Sequence, residues 1–213
     1  MTETEDAVMK KGYEQIYKTI LPKLSVCDIA QNAPRLGAEL TENGAKLPFL
    51  GREYLITNEG VAPLDGGSCN VNDLSILIYY ITSEGAGELS HDFVQLGRMT
   101  GMIDGQKNLE SGIMNSPLIR AFGSDYQKFA AAMTALGGAE EPRGAPGRHA
   151  WQLLVLPKIL ARIVYYEPDD EFPTDIQIMF DKTAPRFLDF ECLAFLSGSM
   201  VNALIKATGE KPR

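Results

Sequence analysis

Six acidic residues are concentrated in residues 165–181, which read YYEPDDEFPTDIQIMFD. They are Glu167, Asp169, Asp170, Glu171, Asp175 and Asp181. Carboxylates this close together can hold a hard cation, a cationic ligand or a basic partner, and they also occur at the solvated end of a hairpin. The calcium-loop pattern is not met, because the position that needs Gly holds Thr174 and the one that needs Glu holds Phe180. We assign no metal site, and the hairpin end and the cationic-ligand site stay open.

A ligand site at this turn would combine carboxylates with an aromatic and aliphatic rim. Its expected members are Asp169, Asp170, Glu171, Tyr166, Phe172 and Arg162. Such a rim suits a cationic small molecule or a basic protein segment. Arg162 also has a structural interpretation, since it could pair across the sheet with Asp175 or Asp181.

Asp181 and Glu191 are two further candidate residues of the ligand site. One follows a predicted strand and the other lies in the next predicted helix. Two carboxylates across a cleft can carry out glycosidase-type hydrolysis, so a hydrolase or another enzyme, with or without a divalent metal, is the alternative function. The structural interpretation is that Asp181 caps a turn and Glu191 is a solvated helix residue. A homo-oligomeric structural subunit is a third alternative.

The other residues that serve as catalysts in proteins give no recognisable pattern. His91 and His149 lie in or beside predicted loops, and we expect both at the surface. No G-x-S-x-G elbow is present, and the thiol of Cys69 has no histidine assigned to it. Cys27, Cys69 and Cys192 are too far apart for a C-x-x-C pair, so we expect reduced, buried and inert thiols. The sequence assigns no catalytic residue and identifies no cofactor.

Charge and composition exclude several classes of partner. The 213 residues carry a net charge of -8 without a run of Lys or Arg, which disfavours nucleic acid and anionic membranes. Neither a phosphate-binding glycine loop nor a dinucleotide fingerprint is present. The first residues, MTETEDAVMKKGYEQ, are charged, and no apolar run is long enough to span a bilayer. We predict a soluble cytoplasmic protein of unspecified oligomeric state.

The first part of the chain predicts helices followed by a meander. Apolar residues at helical spacing indicate a helix over residues 6–21, and SVCDIAQNA a short second helix that Pro34 stops. Turn residues divide residues 37–66 into four short antiparallel strands. VNDLSILIYYITSE follows as a buried helix that Asn70 or Asn72 caps.

The second part predicts more helices and then three strands. HDFVQLGRM is expected to be a short helix, TGMIDGQKNLESG a loop, and IMNSPLIRAFG and SDYQKFAAAMTALGG helices, the latter capped by Ser124. GAEEPRGAPGRHA is a connection, and WQLLVLP, ILARIVYYEP and TDIQIMFD are antiparallel strands. A helix starts at Pro185, and another runs through MVNALIKATG.

These elements predict an α+β fold, with an antiparallel N-terminal meander and a C-terminal three-stranded antiparallel segment surrounded by helices. The strands form two small sheets or one sheet assembled from both. We expect a single domain over residues 1–213, in which 1–84 and 85–213 are candidate lobes.

The order of features resembles one uncharacterised bacterial family, domain of unknown function 3786. The resemblance lies in YYEPDDEFPTDIQIMFDKTAPRFLDFE, in FLGREYLI followed by VNDLSILIYYI, and in FGSDYQKFAAAMTALGG, and it extends over residues 13–204. It implies a cytoplasmic α+β domain, often from anaerobes, with no established activity. Some relatives have a cysteine-rich iron–sulfur segment that this chain lacks, so no cluster is carried over. Pro168 stands where the family pattern has Gly, which stiffens the turn.

Overall fold

The computed structural model describes residues 3–99, 115–142 and 144–209, which form helices and two antiparallel sheets. The helices are α1 Glu3–Ile20, α2 Pro22–Ser25, α3 Ile29–Leu36, α4 Val71–Ile81, α5 Leu96–Met99, α6 Asn115–Phe122, α7 Tyr126–Ala135 and α8 Phe190–Ala207, with a 3-10 turn at Ala184–Arg186. The strands are β1 Glu39–Thr41, β2 Gly44–Phe49, β3 Arg52–Ile56, β4 Val61–Pro63, β5 Phe93–Val94, β6 Ala139–Glu140, β7 Arg148–Leu156, β8 Ile159–Tyr166 and β9 Asp175–Asp181. The predicted α+β class is confirmed.

The N-terminal sheet is the predicted meander, in the order β1-β2-β3-β4. Phe49 pairs with Arg52, so only Leu50 and Gly51 connect β2 to β3. Both have positive φ, 48° for Leu50 and 76° for Gly51, as the tightest hairpin turn requires. A leucine is strained in this conformation, and the Leu50 side chain is buried at 8% exposure.

The C-terminal sheet has the order β5-β9-β8-β7-β6. Its three long strands are those predicted, and the acidic turn connects β8 to β9. Two short edge strands were missed, since β6 lies in the predicted connection and β5 in the predicted helix HDFVQLGRM. Only residues 96–99 of that segment are helical. The predicted loop TGMIDGQKNLESG falls outside the described residues.

Helix boundaries differ from the predictions at α3, α7 and α8, among others. Helix α3 continues past Pro34 to Leu36, whose carbonyl accepts a hydrogen bond of 2.7 Å from the buried Tyr80 hydroxyl. The cap of α7 is Asp125 in place of Ser124, because the Asp125 carboxylate accepts from the backbone N–H of Lys128 at 3.0 Å. The two predicted C-terminal helices are one continuous helix, α8, capped by Asp189.

Helix α8 lies in the centre of the helical layer and contacts α4, α5, α6 and α7. Of the described helices, α8 alone has the length and composition of a membrane-spanning helix, with a mean hydropathy of 1.3. Half of it is buried inside the protein, as in the core helix of a soluble protein. Its contacts join residues 190–207 to α4 and to the helices of the middle of the chain.

Candidate functional site

The acidic turn between β8 and β9 is closed by its own backbone. Asp169 accepts hydrogen bonds through one carboxylate oxygen from the N–H groups of Glu171 and Phe172, at 2.9 and 2.7 Å. Its own N–H donates to the Phe172 carbonyl at 2.9 Å. Because these hydrogen bonds fix the backbone of the turn, the exposed side chains that follow Asp169 are attached to a backbone of fixed geometry.

A groove of about 910 Å³ lies beside this turn, and we call it the acidic groove. Its walls include Tyr166, Phe172 and the carboxylate residues Glu167, Asp169 and Asp175. The Phe172 side chain is 66% exposed, which is unusual for an aromatic residue. The turn therefore combines carboxylates and aromatic rings around a concave surface.

The other predicted residues of the turn lie outside the groove. Asp170 and Glu171 are exposed and do not line it. Arg162 forms an ion pair with Glu141 and lies over the Phe93 ring, 5.4 Å from its centroid.

The predicted pairing of Arg162 with Asp175 or Asp181 is wrong. In the observed register Arg162 opposes Met179, while Asp175 opposes Tyr166, four residues along β8 and therefore about 13 Å away. Asp181 is nearer to Arg162, but other groups already surround it.

Asp181 is fully buried at 0% exposure at the end of β9. Its carboxylate accepts from the hydroxyl of Ser90 at 2.8 Å, the N–H of His91 at 2.5 Å, and the N–H and hydroxyl of Thr183 at 2.9 and 2.6 Å. Burial alone would raise the pKa of Asp181, but the hydrogen bonds from Thr183 and Ser90 outweigh it and lower this pKa to about 2. We call this arrangement the Asp181 corner. Because the carboxylate binds four donors of the protein itself, its role is structural.

Glu191 is exposed in the first turn of α8. Neither Glu191 nor Asp181 lines the acidic groove. A glycosidase pair needs both carboxyl groups at one cleft, so the geometry gives no support to these two residues as such a pair.

His149 was expected at the surface but is buried, at 7% exposure. Its Nδ1 lies 3.3 Å from Glu140 Oε1 and its Nε2 lies 3.0 Å from Glu167 Oε1. The imidazole stacks on the Tyr126 ring with centroids 3.6 Å apart. Since Glu167 also lines the acidic groove, His149 holds one of the groove's carboxylates in place. The other histidine, His91, is exposed as predicted.

A second concavity, of about 350 Å³, was not predicted, and we call it the Asp73 cleft. It lies between the β2–β3 turn, the first turn of α4, the end of α7 and the last turns of α8. Its charged residues are Asp73, Arg52 and Lys206. No sequence pattern joins these distant segments, so the cleft became recognisable only in the fold.

Among the described residues, the thiols and potential metal ligands form no further site. Cys192 is buried, whereas Cys27 and Cys69, also expected to be buried, are half-exposed. Burial raises the pKa of all three thiols, so none is activated as a nucleophile. Within residues 3–99, 115–142 and 144–209, no three His, Cys, Asp or Glu side chains are grouped to hold a metal ion.

The model of one protein family, described as Domain of unknown function (DUF3786), matches residues 28–203. The chain belongs to this family. The match includes the acidic groove and most of the Asp73 cleft, of which Lys206 and Ala207 lie beyond the matched residues. No curated protein and no solved structure matches the chain.

Proposed function

We propose that the protein is a non-enzymatic binding module whose acidic groove takes a cationic ligand. The observation that carries this proposal is the exposed Phe172 ring in the same groove as three carboxylates. An aromatic face attracts a cation, and a concave site with few polar groups determines the ligand's orientation.

The three carboxylates are held in place without an ion pair to a described Lys or Arg. Asp175 accepts a hydrogen bond of 2.8 Å from the Gln177 amide, Glu167 contacts His149, and Asp169 binds backbone N–H groups. In the described part of the chain, no Lys or Arg forms an ion pair with any of them. A ligand with separated positive charges would find these groups already positioned, which reduces the entropy cost of binding.

Calorimetric titration with spermidine tests the proposal. We expect saturable binding to the wild type and at least tenfold weaker binding to Phe172→Ala and to Asp175→Asn. Asp170→Asn is the matched control, since it removes the same charge from the same turn outside the groove. Equal affinity of all four proteins would mean that spermidine binds through net charge alone, and the proposal would be wrong. A lysine-rich peptide in place of spermidine tests the basic protein segment as the ligand.

A second candidate, an enzyme that uses a carboxylate in this groove, is favoured by the contact between Glu167 and His149. A histidine that orients a carboxylate at a cleft is a common feature of acid–base catalysis. Chromogenic ester, phosphoester and glycoside substrates, each with and without Mg²⁺, test this function. Turnover that Glu167→Gln abolishes, in a variant that thermal unfolding shows to be folded, would favour the enzyme over the binding module.

We further propose a cytoplasmic location. The support is that Cys27, Cys69 and Cys192 are all free thiols, which suit a compartment that keeps thiols reduced. Fractionation of cells that produce the tagged protein would test the location.

A further inference from the structure

We infer that the Asp73 cleft is a binding site for a neutral aliphatic α-amino acid. This site is separate from the acidic groove and does not depend on the function proposed there. Its walls come from the β2–β3 turn and from the helices α4, α7 and α8. At about 350 Å³ the cleft is at the small end of the usual range of ligand pockets, which limits the ligand to a small molecule.

The negative side of the cleft is the Asp73 carboxylate. One of its oxygens accepts a hydrogen bond of 2.6 Å from the Ser199 hydroxyl, and Ser199 in turn accepts from the Asn72 amide at 3.1 Å. The second oxygen has no hydrogen-bond donor among the described residues, and no Lys or Arg there forms an ion pair with Asp73. A partly buried carboxylate in this situation gains from an ammonium group that supplies both hydrogen bonds and charge.

The positive side of the cleft is Lys206. Ser199 and Lys206 are two turns apart on α8, so their Cα atoms are separated by about 10 Å along the helix axis. A lysine side chain leans back toward the helix N-terminus and covers much of this distance. Lys206 is exposed and, within the residues the structure describes, forms no ion pair. Its ammonium group is therefore available for a carboxylate.

Arg52 adds hydrogen-bond donors to this side without adding net charge. Its guanidinium forms two hydrogen bonds to the Asp65 carboxylate, at 3.0 and 2.6 Å, and a third to the Ser68 carbonyl at 3.1 Å. These contacts hold the guanidinium at the edge of the cleft. One unpaired charge of each sign then remains, which matches a zwitterion and not a simple anion or cation.

The rest of the wall is apolar and includes Phe49, Leu50, Leu136 and Ala203. The Leu50 side chain is buried although its backbone occupies a region that favours Gly or Asn. A leucine here costs backbone strain and supplies apolar surface to the cleft. This wall is suited to an aliphatic side chain of the ligand.

Titration calorimetry with L-leucine as the probe tests the ligand class. We expect saturable one-to-one binding of L-leucine and at least tenfold weaker binding of two analogues. L-Leucinamide lacks the carboxylate that faces Lys206, and 4-methylpentanoate lacks the ammonium group that faces Asp73. Absence of L-leucine binding up to about 10 mM, or equal binding of either analogue, would overturn the inference.

Variants of the chain test the location of the site. Asp73→Asn and Lys206→Gln should each weaken L-leucine binding at least tenfold, while Lys18→Gln, a matched change of an exposed lysine outside the cleft, should not. Circular dichroism of each variant confirms that it is folded. Phe172→Ala, in the acidic groove, should leave L-leucine binding unchanged. Unaltered binding in both Asp73→Asn and Lys206→Gln would show that the amino acid binds elsewhere and would overturn the inference.

Discussion

The Asp181 corner and the Asp73 cleft each place a carboxylate inside the protein, but they satisfy it differently. Asp181 is fully buried and accepts four hydrogen bonds, and its pKa falls to about 2. Asp73 accepts one hydrogen bond, from Ser199, and burial raises its pKa. The number of donors, more than the depth of burial, separates a structural carboxylate from one that is available to a ligand.

The largest effect expected from this difference is on stability. Asp181→Asn should lower the free energy of unfolding by about 3 kcal/mol, because the amide cannot accept from all the buried donors around it. Asp73→Asn should change it by less than about 1 kcal/mol, since relief of the burial penalty offsets the lost attraction to the N-terminus of α4. Urea unfolding of both variants measures the two values. Equal losses would remove the distinction between the two carboxylates.

The pH dependence of stability should follow the same difference. The folded-state pKa of Asp181 is lower than its ordinary 3.8, so its contribution is present above about pH 4 and is lost as the pH falls toward 2. The shift corresponds to about 2 kcal/mol. Urea unfolding at several pH values between 5 and 2 should show a steeper acid loss for the wild type than for Asp181→Asn. Parallel curves for the two proteins would contradict this assignment.

The loss of stability expected on changing His149 is intermediate, because both ring nitrogens contact carboxylates that solvent can reach. The side chains of Glu140 and Glu167 are 35% and 45% exposed. His149→Phe keeps an aromatic ring against Tyr126 but removes both polar contacts, and water can replace them. We expect a loss of about 1 kcal/mol, measured by thermal unfolding. A loss as large as that of Asp181→Asn would mean that these contacts are effectively buried.

The acidic turn should show the smallest effects. Asp169→Ala removes the acceptor for two backbone N–H groups and should cost about 1 kcal/mol. Asp170→Ala, next to it, should stay within about 0.5 kcal/mol of the wild type because Asp170 is exposed. Thermal unfolding of the pair gives the comparison. A larger loss of stability for Asp170→Ala than for Asp169→Ala would show that Asp170, and not Asp169, stabilises the turn.

Elements with a local signal could be predicted from the sequence. The meander follows from its turn residues, α4 from Asn70 and the apolar run after it, and the hairpin of β8 and β9 from the turn EPDDEFP. Each signal lies within the element itself or within a few residues of it. Three residues of the predicted ligand site, Tyr166, Asp169 and Phe172, line the acidic groove. They could be predicted because all three belong to one short turn and the strand end before it.

Features that depend on contacts between distant residues could not be predicted. Phe93–Val94 is a strand only because β9 lies beside it, some ninety positions further along the chain. Arg162 pairs with Glu141 because β6 lies at the sheet edge, which no local pattern indicates. Asp73 contacts Ser199, and shares a cleft with Lys206, only after α4 packs on α8. All three features depend on the packing of segments that are distant in sequence, which a single sequence does not show directly.

The position of α8 along the chain has a consequence for protein synthesis. Residues 190–207 are translated after α4, α5, α6 and α7, the helices that they cover. Until these residues leave the ribosome, the apolar surfaces that α8 covers on the earlier helices stay exposed, so we expect the nascent chain to be held by chaperones until this stretch emerges. The rate of translation through α8 would then determine how long these surfaces are exposed to aggregation.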